Sequence, residues 1–160
     1  MSEEKTFSEA EAHRHFAIQF NGATWDLLDK KDRTKEDNDR MILSAYASLR
    51  HWLEAGTGVH HQRGEWLIAR VYSVLGAAEG ALYHANRCLE LTEQYADEME
   101  DFDRAYATEA VARANAIAGN HDEARKYLAL AEEAGAAIAD EQNKQIFDGD
   151  FNGGDWRGLR

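Results

Sequence analysis

The chain has no proline and a single cysteine among its 160 residues. Proline interrupts helices and is common in loops, so its absence favours a helical protein with short connections. One cysteine excludes a disulfide bond within the chain. Cys88 lies on an alanine-rich segment, where we expect a small buried hydrophobic side chain rather than a reactive thiol.

Basic residues are few. The chain carries 18 lysines and arginines against 30 aspartates and glutamates, which gives a net charge of −12. Nucleic-acid phosphates and anionic membrane surfaces repel such a chain, so we expect neither as a partner. No apolar run approaches the ~20 residues of a membrane-spanning helix, and the acidic start lacks the apolar segment of a signal peptide. A cytoplasmic protein is therefore predicted.

The sequence has the periodicity of amphipathic helices. Apolar residues from Met41 to Leu53 recur at steps of three and four, which forms one apolar face. Ser8 and Thr34 are each followed three residues later by an acidic residue, a signal for a helix start. The pattern predicts six or seven helices, near 8–30, 34–56, 63–75, 78–95, 101–118, 121–137 and 140–147. Gly22 interrupts the first of them, and we expect a kink or a close helix contact there.

The predicted division of the chain has three parts. Residues 1–7 form a disordered lead-in, residues 8–147 form a single helical domain, and residues 148–160 form a glycine-rich tail. Within that tail, Asp148, Asp150 and Asn152 match the opening of an EF-hand loop. The position of the bidentate glutamate is Leu159, however, so a polar tail that docks Phe151 or Trp156 is the preferred interpretation.

An internal repeat appears when the chain is shifted by 43 residues. Small residues and turn glycines then coincide, as helices in contact require. The matched pairs are Ala69 with Ala112, Gly76 with Gly119, Ala81 with Ala124, and Cys88 with Ala131. This pattern resembles the tetratricopeptide repeat family, over about residues 63–135, with units near 63–95 and 101–137. The chain departs from the family in two ways: its period is 43 residues rather than the usual ~34, and the proline of the family is missing. A generic bundle with alanine-rich faces is the alternative.

The resemblance implies an all-α fold of antiparallel helical hairpins, stacked as a right-handed superhelix. The arrangement is also similar to that of uncharacterised bacterial helical-repeat proteins. The resemblance to tetratricopeptide repeats also implies a non-catalytic scaffold for a protein or peptide. In that family the first helix of each hairpin lines a concave groove. Carried over to this chain, the groove residues are Arg63, Trp66, Arg70, Ser73, Tyr106, Glu109 and Arg113. Arg70 and Arg113 are equivalent and would grip a carboxylate of the partner. Alternatively, they pair with carboxylates of the chain itself, and Trp66 belongs to the core.

Aromatic residues also suggest a homodimer. Trp25, Tyr46, Trp52 and Trp66 supply more aromatic surface than one small core usually hides.

A second hypothesis comes from the seven histidines. His60 and His61 precede the third helix and would converge with His51 in a metal-dependent helical-bundle enzyme. No His-x-x-x-His or Glu-x-x-His spacing is present, however. The preferred prediction has no metal, no other cofactor and no catalytic residue.

Overall fold

Seven α-helices make up the protein in the computed structural model, which describes residues 3–160. Met1 and Ser2, at the start of the predicted lead-in, lie outside the described residues, and residues 3–7 are exposed and not helical. A short 3₁₀ turn occupies Ala96–Glu98. The helices are α1 (Glu9–Asp29), α2 (Lys35–Ala55), α3 (Gly58–Val74), α4 (Ala78–Gln94), α5 (Asp101–Ala118), α6 (His121–Ala136) and α7 (Glu141–Asn152).

The helix starts that the sequence predicts are confirmed at α1 and α2. The Ser8 hydroxyl accepts a hydrogen bond from the Glu11 amide at 3.2 Å. Thr34 and Asp37 form a reciprocal capping box, with N–O distances of 3.0 and 3.1 Å. Because these caps satisfy amides that a helix leaves free, they fix where each helix begins.

Three local predictions differ from the structure. Helix α3 begins at Gly58 rather than near Arg63, because the His60 side chain caps the amide of Thr57 at 3.0 Å. Helix α7 extends beyond Phe147 into the predicted tail. A methyl group at Gly22 would meet no atom of another segment within 4 Å, so of the two alternatives for this glycine, a kink or a close helix contact, the contact does not occur.

The predicted hairpin arrangement is confirmed. Consecutive helices pack as the pairs α1–α2, α3–α4 and α5–α6, and each pair also packs on the next. Helices α3 and α5 touch, and α7 lies against both α5 and α6. Among residues 3–160, no helix is long and apolar enough to cross a bilayer. The superhelical sense of the stack stays a prediction.

Positions matched by the 43-residue shift have similar environments. Gly76 and Gly119 both adopt the left-handed conformation, with φ of 72° and 80°, which only glycine adopts without strain. The other matched side chains are all buried, namely Ala69, Ala112, Ala81, Ala124, Cys88 and Ala131. Small side chains at these positions let the helices of each hairpin approach closely.

The C-terminal segment is packed against the body of the protein. Phe147, Phe151 and Trp156 are buried and share a core cluster with alanines of α5 and α6. The ring of Phe147 lies 5.4 Å from that of Phe151, which in turn meets Trp156 edge-on at 5.6 Å. The polar tail predicted for residues 148–160 is therefore partly helix and partly docked, through the two aromatic residues named for that role.

Candidate functional site

A cavity of about 290 Å³ opens between helices α1, α3, α5 and α7. We call it the aromatic cavity, because Trp25, Trp66, Phe102 and Tyr106 line it. Its other lining residues are Asn21, Gln62, Arg63, Leu67, Asp103, Ile146 and Asp150. Three of the predicted groove residues, Arg63, Trp66 and Tyr106, therefore meet in one place.

The aromatic rings that line the cavity contact each other. The ring centroids of Trp25 and Trp66 are 5.9 Å apart, with 26° between the planes. Tyr106 meets Trp66 edge-on at 5.1 Å. All three side chains are half-buried. Aromatic contacts of this kind hold a wall rigid while leaving part of each ring accessible.

An ion pair borders the cavity. Arg63 donates two hydrogen bonds of 2.9 Å to the two carboxylate oxygens of Asp103. These bonds raise the pKa of Arg63 above its usual range. The guanidinium carbon also lies 5.2 Å from the ring centroid of Phe102. Arg63 and Asp103 are 40 residues apart in the sequence, so no local pattern predicts this ion pair.

Gln62 lines the cavity and is 1% exposed, and within residues 3–160 one of its side-chain polar atoms has no hydrogen-bond partner. Its Nε2 donates to Thr92 Oγ1 at 3.0 Å and to the Asp103 carbonyl at 3.3 Å. The Thr92 hydroxyl hydrogen is committed to the Cys88 carbonyl at 2.8 Å, so both atoms facing the amide accept hydrogen bonds. The amide must therefore point its nitrogen at them. In the part of the chain that the structure describes, its oxygen is buried without a donor, an arrangement that costs free energy.

Tyr106 ties the cavity to helix α7. Its hydroxyl donates to one carboxylate oxygen of Asp150 at 2.5 Å. Burial raises the pKa of Tyr106, and the hydrogen bond and negative charge of Asp150 raise it further. The phenol therefore stays protonated and remains a donor. Within residues 3–160, the second carboxylate oxygen of Asp150 has no hydrogen-bond partner.

The remaining predicted groove residues lie near a second cavity, of about 370 Å³, which we call the arginine cavity. It is lined by Arg70, Ser73, Arg113 and Arg157, together with Val74, Leu75, Gly76, Ile117, Gly154 and Asp155. Ser73 and Arg70 come from α3 and Arg113 from α5, whereas Arg157 belongs to the C-terminal segment. Arg70 and Arg113 therefore line the same cavity.

Glu109 and Arg113 do not face a partner as predicted, because both are buried. Arg113 Nε donates to the Glu109 carboxylate, and Arg70 Nη1 lies 3.8 Å from the same group. The alternative of self-pairing is thus what the structure shows. Arg113 also donates to the carbonyl of Asp150 at 2.6 Å and lies 4.1 Å from the ring centroid of Trp156, so it holds the C-terminal segment in place.

The three candidate metal ligands have separate surroundings. His51 Nδ1 lies 2.9 Å from His13 Nδ1. His60 stacks on Trp52 with 4.3 Å between centroids. His61 Nε2 is 3.5 Å from a carboxylate oxygen of Glu65. In the part of the chain that the structure describes, no three histidine, cysteine or acidic side chains are grouped to hold a metal ion.

No family model, no curated protein and no solved structure matches this chain. The resemblance to tetratricopeptide repeats therefore depends on the residue pairs matched by the 43-residue shift.

Proposed function

We propose that the chain is a non-catalytic scaffold of tetratricopeptide-like type, which binds a protein or peptide partner in the cytoplasm. The aromatic cavity is the observation that carries this proposal. It is concave, mostly apolar and lined by a few polar groups, as ligand sites commonly are. Tryptophan and tyrosine are also the residues that dominate binding free energies at interfaces. The volume of about 290 Å³ leaves room for a side chain of the partner, which would anchor there.

The arginine cavity supports a second contact with the same partner. Within residues 3–160, Arg70 makes no hydrogen bond; its one polar contact is the 3.8 Å approach to Glu109. The guanidinium is ion-paired with Glu109, but its N–H donors are not used in hydrogen bonds within the described residues, so a carboxylate of the partner would accept them. From Arg63 to Arg70 helix α3 rises about 10 Å, a distance that about three residues of extended peptide span. One short segment would thus reach both cavities.

A pair of matched variants tests the anchoring site. Ile146 lines the aromatic cavity and is 54% exposed, whereas Ile18 lies outside it and is 53% exposed. Ile146→Lys places a charged chain at the cavity opening, and Ile18→Lys makes the same change elsewhere. Affinity purification from lysate, followed by mass spectrometry, should show a partner that the wild type and Ile18→Lys retain and Ile146→Lys loses.

The fold of both variants is checked by circular dichroism and thermal unfolding. A partner set that survives Ile146→Lys in a folded protein would overturn the proposed site. A partner lost from both variants would place the binding surface elsewhere.

Self-association is a second candidate, and a specific surface favours it. Leu43 on α2 and Tyr83 on α4 are 67% and 69% exposed. Tyr46 and Tyr83 both contact the ring of His84, at 5.4 and 5.0 Å, so the side chains of Tyr46, Tyr83 and His84 form one patch. Sedimentation of wild type and Tyr83→Glu should then show a dimer that the substitution dissociates. A monomer at all concentrations would reject this candidate.

A further inference from the structure

We propose that the anchor which enters the aromatic cavity is a basic side chain, a lysine or arginine of the partner. This inference depends on the proposed function, since it names the chemistry of the residue that the scaffold binds. The cation would lie against the aromatic rings and beside Asp150.

The charges around the cavity favour a cation. Arg63, Asp103 and Asp150 are the charged residues among its lining residues. The first two neutralise each other through two hydrogen bonds. Asp150 remains, with one carboxylate oxygen bonded to the Tyr106 hydroxyl and the other available. The net charge of −12 for the whole chain adds a long-range attraction for basic peptides.

The hydrogen bonding at the cavity wall favours a donor. Within residues 3–160, the second carboxylate oxygen of Asp150 is an acceptor without a donor. A lysine or arginine head group carries only donors, three or five of them. An aliphatic side chain offers none, and a carboxylate would add a further acceptor. Of these three classes, only the basic one complements the wall.

The rings favour a cation on an apolar stem. Cations are attracted to the faces of tryptophan and tyrosine, and the stems of lysine and arginine pack well on apolar surface. The border of the cavity already contains one contact of this kind, between Arg63 and the ring of Phe102 at 5.2 Å. A volume of about 290 Å³ gives room for the stem and head group of one such side chain.

Nuclear magnetic resonance of the full-length chain tests this inference with two probes. N-acetyl-lysine methylamide and N-acetyl-norleucine methylamide share a four-carbon stem and differ in the ammonium group. Titration of each is followed at the indole N–H signals of Trp25 and Trp66. We expect the lysine probe to bind about threefold to thirtyfold more tightly, the range for one cation–π contact with one partly exposed ion pair.

Two variants test whether the charge of Asp150 causes the preference for the lysine probe. Asp150→Asn keeps an oxygen for the Tyr106 hydroxyl but removes the negative charge, and we expect it to reduce the preference for the lysine probe. Asp148→Asn is the control, because Asp148 is on the same helix but pairs with Lys144 at 2.7 Å, outside the cavity. If Asp150→Asn does not fold, the preference of the wild type between the two probes still tests whether the anchor is basic.

Each outcome separates the inference from the proposed function. Equal binding of both probes would overturn the basic anchor while leaving an apolar anchoring site. If neither probe shifts the two indole signals, the inference is wrong, and the partner-capture result for Ile146→Lys decides the scaffold independently. A preference that Asp148→Asn also abolishes would assign the attraction to net charge and overturn the role of Asp150.

Discussion

Gly135 on α6 lies directly beneath the ring of Phe147 on α7. A methyl group on Gly135 would overlap that buried ring. We therefore expect Gly135→Ala to lower the free energy of unfolding by about 1–3 kcal/mol, as overpacking of a core does. Phe147 contacts Phe151, which contacts Trp156, so the loss should appear both in chemical denaturation and in the fluorescence of Trp156.

Gly22→Ala is the matched control in α1. No atom would lie within 4 Å of the new methyl group, and alanine is favoured over glycine inside a helix by about 1 kcal/mol. We expect this variant to be more stable than the wild type. Equal effects of the two substitutions would contradict the contact assigned to Gly135.

His60 should make stability depend on pH. Burial lowers the pKa of His60, and the positive charges of Arg14 and Arg63 lower it further. The unfolded chain, with a histidine pKa of about 6.5, then binds a proton more readily than the folded chain. The contribution of His60 is therefore complete above about pH 6.5 and decreases as the pH falls below it. The geometry agrees, since Nδ1 must be unprotonated to accept the Thr57 amide.

The measurement compares the wild type with His60→Gln, whose side chain can cap the same amide without titrating. The free energy of unfolding of each is determined from pH 5 to pH 8. As the pH falls, the free energy of unfolding of the wild type should decrease relative to that of His60→Gln. The other six histidines are present in both proteins, so their contributions cancel in the comparison. A difference that is constant over this range would reject the assignment.

Glu109→Gln should be strongly destabilising. It would leave the buried guanidinium of Arg113 without its ionic partner, and breaking a buried pair in this way costs about 3 kcal/mol or more. Glu54→Gln, at the exposed pair with Arg50 on α2, is the control and should have little effect. Urea denaturation compares the two, and similar losses would show that burial of the Glu109 pair has no energetic consequence.

Cys88 should be unreactive in the native protein. Burial raises the pKa of its thiol well above the usual range, and the side chain is inaccessible. A thiol-specific disulfide reagent should therefore react at the rate of unfolding, and rapidly in denaturant. Fast stoichiometric labelling under native conditions would contradict this.

Features set by neighbouring residues were predictable from the sequence. The caps at Ser8 and Thr34 and the glycine turns at positions 76 and 119 each depend on a few consecutive residues, so their positions agree with the structure. The extension of α7 was missed because its polar and glycine residues suggest a loop. Phe147 and Phe151, spaced four apart, were the available signal, but only packing on α5 and α6 stabilises this helix.

The candidate site also has features that the sequence predicts and one that it does not. Arg63, Trp66 and Tyr106 come together because the hairpins stack, which the 43-residue shift predicts. Glu109 and Arg113 are four residues apart on one helix, a spacing typical of ion pairs, and this was the sign of self-pairing. The unpaired oxygen of Gln62 arises from partners on α4 and α5, so no local pattern could have predicted it.

Helix α7 has a consequence for protein engineering. It packs on both helices of the third hairpin, and its aromatic side chains occupy the surface on which a fourth hairpin would stack. A longer array could not be made by fusing further hairpins after residue 160. A designer would have to remove α7 and supply a new cover for the alanines of α5 and α6, and the same deletion would take away the Asp150 wall of the aromatic cavity.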